Sequence, residues 1–232
     1  MNLNNFTFID LTQTLSPEIP HWGIGCGFQH SIELDYADCD SNVKFRVQKI
    51  EMQAGIGTHM DAPAHCISGG LTIENIALEQ LITSCIVIDI SHKAHEKYSV
   101  TCNDIYDFEN KHGTISKDTF VFIYTGWERF WNMPSKYRNN LIFPSVSKEA
   151  AQLLLERNIS GLGIDTLSPD REEDGFPVHQ LLLNAGKYII ENVANCNKLP
   201  SVGASIIALP MKIKEGTEAP VRLIGVINKN NY

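Results

Sequence analysis

No stretch of this 232-residue chain approaches the roughly 18 consecutive apolar residues that a membrane-crossing helix needs. Its first residues, Met1-Asn2-Leu3-Asn4-Asn5, have neither a basic segment nor the apolar run of an export signal. A cytoplasmic location is expected. Positive charge is also scarce: 19 Lys and Arg stand against 27 Asp and Glu, for a net charge of −8. Without a Lys/Arg-rich run the chain lacks the electrostatic footprint for nucleic acid or an anionic membrane, so neither is expected as a partner. C-x-x-C pairs are missing too. The six cysteines, Cys26, Cys39, Cys66, Cys85, Cys102 and Cys196, are scattered, and a chain of this size does not need disulfide staples, so they read as reduced thiols. Internal repeats and low-complexity tracts are absent.

What is present is material for a core. With 43% hydrophobic residues the chain can bury a substantial interior, and its length fits one domain spanning residues 1–232. Residues 6–11 and 44–52 alternate or run apolar, and Cys85-Ile86-Val87-Ile88-Asp89-Ile90 is rich in β-branched side chains. All three read as buried strands. Residues 119–124, 205–209 and 221–227 add further strands. Helices are expected over 73–81, 103–111 and 147–157; the last opens at Ser147 and carries Ala150, Ala151, Leu153 and Leu154 on an apolar stripe. It leads through a tight connection into a buried strand ending at Asp165. Residues 170–175, acidic and preceded by Pro169, read as a surface loop. The alternation specifies an α/β or α+β domain, and spacing alone does not choose between them.

Chemistry concentrates in one segment. Thr58-His59-Met60-Asp61-Ala62-Pro63-Ala64-His65 brings two imidazoles and a carboxylate together just after Gly55 and Gly57. In an extended strand His59 and Asp61 share a face and can close on one divalent ion. An isolated H-x-D is more often an exposed turn, so the surrounding residues decide. From Met52 to His65 they resemble the signature H-x-G-T-H-x-D-A-P-x-H of the cyclase family of metal-dependent hydrolases, which includes arylformamidases and cyclic-amide hydrolases. Every position matches except the first, where the family's leading histidine falls on Gly55. The resemblance runs from Asp10-Leu11-Thr12 and Ile19-Pro20-His21-Trp22 to Pro220-Val221-Arg222. It implies a β/β/α cyclase-like fold, a mixed sheet flanked by further strands and helices, assembled as a homodimer or higher homo-oligomer.

A second ligand region of the family falls on residues 178–192, where its histidine and glutamate ligands match His179 and Glu191. Locally, a short helix from His179 stops at Gly186, and a strand through Ile189 and Ile190 delivers Glu191. Burying that carboxylate unpartnered would cost roughly several kcal/mol. In two-ion members of the family the first-segment histidines and aspartate hold one ion; the aspartate, the later histidine and the glutamate hold the other. Asp61 would then bridge. With Gly55 at the first position, the expectation is one tightly held ion on Asp61, His179 and Glu191 with help from His59. The second position is expected to be weak or empty, with Gln53 offering only an amide oxygen. Zinc, manganese or iron suits these donors.

His65 matches the family histidine assigned to proton transfer, a role suited to a neutral imidazole near pH 7. The implied reaction is hydrolysis of a C–N bond in a small amide, formamide or cyclic amide by metal-activated water, with His65 carrying a proton to the leaving group. Trp22 is the expected substrate contact; His21 and Phe28 match the same region, and Trp127, Phe130 and Trp131 add aromatic surface. Thr58 reads as a local hydrogen-bonding residue. Cys66 is set aside as a nucleophile because no base is placed for it, and His30, His92, His95 and His112 belong to no motif. The alternative is a catalytically silent relative that binds metal or a small ligand. Retention of His65 favours the enzyme.

Overall fold

A computed structural model describes residues 2–23 and 27–231; Cys26 lies outside the described residues. In chain order the strands are β1 (Phe6–Asp10), β2 (Phe28–Leu34), β3 (Val47–Met52), β4 (His59–Asp61), β5 (Ile82–Asp89), β6 (Ser99–Val100), β7 (Phe120–Tyr124), β8 (Ser145–Val146), β9 (Gly161–Ile164), β10 (Tyr188–Glu191), β11 (Ala204–Pro210) and β12 (Glu218–Asn228). The α-helices are α1 (Leu78–Leu81), α2 (Cys102–His112), α3 (Pro134–Arg138), α4 (Lys148–Glu156) and α5 (Pro177–Asn184).

Seven strands close into a ring. The order β12-β11-β5-β7-β9-β10-β4 returns to β12 where Glu218, Ala219 and Pro220 pair with Asp61, Met60 and His59. The eighth strand of this sheet, β1, lies antiparallel on the distal part of β12. Neighbours from β5 through β7 and β9 to β10 are parallel, and the other pairs antiparallel, so the fold is α+β on a mixed sheet.

Two-residue alternation sorts each strand between two environments. Met60, Phe120, Phe122, Ile190, Ile206 and Ala219 turn into the ring. There β9 offers Gly161 and Gly163, because the Phe120 and Phe122 rings occupy the space a Cβ would need. On the outer face, Ile86, Val121, Leu162 and Ile189 pack against Ile105 and Phe108 of α2, Leu154 of α4 and Leu182 of α5. Ser147 caps α4 by accepting from the Ala150 N–H at 3.1 Å. Among the described residues no helix is long and apolar enough to cross a membrane.

Four local expectations need correction. Residues 73–81 are not one helix: a 3-10 turn, Ile73–Asn75, and α1 are separated by extended backbone at Ile76 and Ala77. The break lets Ile73, Ile76 and Leu81 all reach the core, while the Ile73 N–H bonds to Gly216 O. The strand over 47–52 exists but is not buried, since β3 pairs with β2 in a separate two-stranded sheet that leaves Ile32, Val47 and Ile50 exposed. β1 is likewise an edge strand with Phe8 exposed and only its neighbour Leu11 fully buried. Asp170 is no surface residue at 1% exposure; exposure begins at Glu172, which opens a 3-10 turn.

Candidate metal centre

Three adjacent strands build the site on the outer face of the ring. Met60 points inward, so His59 and Asp61 on either side of it point out. Pairing sets Glu191 of β10 opposite His59 and Glu218 of β12 opposite Asp61. Glu191 shares the outward face of Ile189, and Glu218 opposes the inward Ala219. The helix α5, opened by Pro177 in its first turn, then lays His179 over the same patch.

His59 Nε2 lies 3.4 Å from Asp61 Oδ1 and 3.4 Å from Glu191 Oε2. His179 Nε2 lies 3.5 Å from Asp61 Oδ2 and 3.4 Å from Glu191 Oε1. Imidazoles and carboxylates thus alternate around a common centre, with all four side chains buried. The far ring nitrogens are anchored. His59 Nδ1 is 2.9 Å from the Gly57 carbonyl, and His179 Nδ1 is 2.8 Å from Asp170 Oδ2. Both partners only accept, so each Nδ1 carries a proton, and a ring that gives up its other proton presents an Nε2 lone pair to the centre. Asp170 also takes the Val178 and His179 backbone N–H groups, capping the start of α5.

The backbone around His59 is bolted down over long range. Gly57 adopts φ +62°, a left-handed conformation that turns its carbonyl toward His59, and a side chain there would collide with Leu15. The Thr58 hydroxyl donates to Asn192 O at 2.7 Å and accepts from Gln13 N at 2.8 Å. Asn192 Nδ2 donates to Gly57 O at 2.9 Å. Thr58 therefore ties the β4 entry to the end of β10, a larger role than a local bond.

The electrostatics favour positive charge at the centre. Neither oxygen of Asp61 has a hydrogen-bond partner, an unusual condition for a buried carboxylate. Burial opposes a charged His59, yet Asp61 and Glu191 beside it drive its pKa up to about 10. His179 is likewise held well above its ordinary value, against burial, by Asp170, Asp61 and Glu191. Burial would raise the Asp61 carboxyl, but His59 and His179 hold it low; burial and the Asp61 charge raise Glu191. A divalent ion would supply that charge. Donors about 2.1 Å from a shared ion stand about 3.0–3.4 Å apart, close to the spacing found here, and His59, Asp61 and Glu191 bring ligand atoms within 4.8 Å of one another, so these three fit a metal with His179 beside them.

A cavity of about 600 Å³ opens beside the cluster, lined by Trp22, Gln53, Gly55, His65, Phe176 and Glu218 among others. The Trp22 ring stands 5.8 Å from Phe176, and its carbonyl accepts from Arg138. The His65 ring lies 5.9 Å from that of His179. Phe28, Trp127 and Trp131 instead belong to a separate apolar cluster against which Phe130 packs, and none of the four lines the cavity. Cys66 does line it, but burial pushes its thiol pKa up, which disfavours the thiolate a nucleophile requires. The sequence reading missed Asp170, Asn192 and Glu218. The only local signal for Asp170 is an acid upstream of a helix opened by proline; for Glu218, it is a carboxylate two residues before the family-like Pro220-Val221-Arg222.

A closed mixed sheet with a buried cluster of two histidines and two carboxylates at the edge of an open cavity has the architecture of a metal-dependent hydrolase. A family model described as putative cyclase matches residues 9–171, and the chain belongs to this cyclase family. Isatin hydrolase of Roseibium aggregatum is 31% identical over 189 residues, covering 75% of this chain and 72% of that protein. Kynurenine formamidase of Erythrobacter litoralis is 24% identical over 218 residues, covering 93% and 91%. The solved structure of an isatin hydrolase bound to the product analogue thioisatinate matches with a TM-score of 0.87 at 26% identity, covering 97% of this chain and 94% of that one. The protein is accordingly a hydrolase.

Proposed function

We propose that this protein hydrolyses the C–N bond of a small cyclic or aryl amide at a centre where His59, Asp61, His179 and Glu191 hold one zinc or manganese ion. The observation that carries the reading is Asp61: both oxygens are buried without a hydrogen bond and stand 3.4–3.5 Å from two imidazole Nε2 atoms. A divalent ion at this centre supplies Lewis acidity to a carbonyl oxygen and to water. His65 projects into the same cavity, partly exposed, and moves the proton from the attacking water to the leaving nitrogen. Trp22 and Phe176 form an apolar wall against which a flat ring packs. Amides of ring systems such as those named for the relatives suit this wall.

Protein purified without chelator is expected to carry about one equivalent of divalent metal per chain, the count for a single three- or four-donor site. It should turn over at least one member of a panel of formamides, lactams and cyclic imides. Glu191→Gln should lose ion and activity together, and His65→Ala should keep the ion while losing about 100-fold or more in kcat. Full turnover after chelation, or in His65→Ala, would overturn the reading.

We also infer a homodimer formed through the β2–β3 hairpin, where Ile32 and Ile50 share one face and are 48% and 57% exposed. Past its end at Met52, β3 continues into Gln53 and Gly55 on the cavity wall, so a second copy seated on the hairpin braces that wall.

A further inference from the structure

We propose that Glu218 is a positioning residue for His65, placed where Gly55 leaves room for it. The inference rests on reading His65 as the proton carrier. Glu218 Oε2 stands 3.2 Å from His65 Nδ1, with both side chains partly buried. The other carboxylate oxygen fills the space beside Gly55. A Cβ at position 55 would lie 2.1 Å from Glu218 Oε1 and 3.2 Å from its Cδ. Any side chain at 55 therefore expels the carboxylate from its present place. The position where the family pattern carries a histidine is empty of side chain here, and a glutamate from another strand uses the volume.

The chemical consequence concerns the tautomer. The 3-10 turn Pro63–His65 holds the His65 backbone through the His65 N–H to Ala62 O bond and the Ala64 N–H to Leu71 O bond. A free imidazole nevertheless exchanges its proton between two nitrogens. A carboxylate at Nδ1 selects the Nδ1–H form, leaves Nε2 as the proton-accepting atom, and stabilises the imidazolium once Nε2 is protonated. Strand register explains why this acceptor needs its partner. Glu218 sits directly opposite Asp61, and like charges across a pair of strands repel. The His65 proton offsets that repulsion, and a cation held at Asp61 would offset it further.

The test uses the zinc-loaded protein. Glu218→Ala is expected to lower kcat about 10- to 100-fold with little change in KM and unchanged metal per chain. Glu218→Gln, whose amide oxygen still accepts from Nδ1–H, should recover part of the loss. Gly55→Ala introduces no functional group, yet should lower kcat by displacing Glu218. Added to Glu218→Ala it should cost nothing further, the non-additivity of two changes acting on one contact. Imidazole ¹⁵N shifts of His65 should report the Nδ1–H tautomer in the parent and a mixture in Glu218→Ala. Parent-level kcat in Glu218→Ala alongside an inactive His65→Ala overturns the role of Glu218 and leaves that of His65 standing. A lost metal equivalent in Glu218→Ala would make Glu218 a ligand, with Asp61 and His65 as the neighbouring donors, and also overturns the proposal. Undiminished kcat in His65→Ala removes the reading beneath it.

Discussion

Asp170 accepts three hydrogens, from the Val178 and His179 backbone N–H groups and from His179 Nδ1. One carboxylate thus starts a helix and aims a ring. Asp170→Asn retains the shape but replaces an acceptor with an amide that must choose which face to present, so metal affinity should fall about 10- to 100-fold. Competition with a chromophoric chelator measures this, and unaltered affinity would show that packing alone orients His179. His59 and Asp61 were legible in the sequence from their alternate spacing on an extended strand, and His65, His179 and Glu191 from the family resemblance; the structure brings all five to one cavity. Asp170 and Glu218 were not legible. What makes them matter is a fold-back onto His179 in one case and cross-strand register in the other, and neither leaves a mark on neighbouring residues.

Strands whose side chains are buried on both faces announced themselves as apolar runs, as β7 and residues 85–88 of β5 show. The hairpin of β2 and β3 was half seen. β3 alternates well enough to read as a strand, but alternation does not reveal that Ile50 on its apolar face stays uncovered while Met52 packs, because burial is decided by what packs on it. In β9 the alternation of Gly161 and Gly163 with Leu162 and Ile164 is a packing code: the glycines accept aromatic rings inside while the large residues meet helices outside. A Cβ on Gly163 would lie 2.6 Å from a Phe122 ring atom. Gly163→Ala should therefore cost about 1–3 kcal/mol through overpacking, seen as a lower midpoint in thermal unfolding. Combination with Phe122→Leu should return part of that loss. An unchanged midpoint in Gly163→Ala would mean that β9 can shift outward without penalty.

For the whole molecule, a mixed class, α/β or α+β, was within reach of pattern reading, whereas the choice between them and the closure of the sheet were not. Closure depends on residues 59–61 meeting 218–220, a pairing between distant parts of the chain that no local periodicity encodes. Assembly is also a property of the whole. Ile50→Glu, on the exposed hairpin, should shift sedimentation toward a monomer while leaving far-ultraviolet circular dichroism intact; a monomeric parent would remove the dimer from consideration.

The short strand β4 serves two masters, since the three residues that seal the cylinder also carry His59 and Asp61. Sealing and ion capture are consequently linked equilibria: an ion that binds only the shut form shifts the balance toward it in proportion to the logarithm of its free concentration. With an ion bound, the seam would be a latch with a cation for its pin. Loss of a divalent ion from this seam would then loosen the ring as well as silence the site.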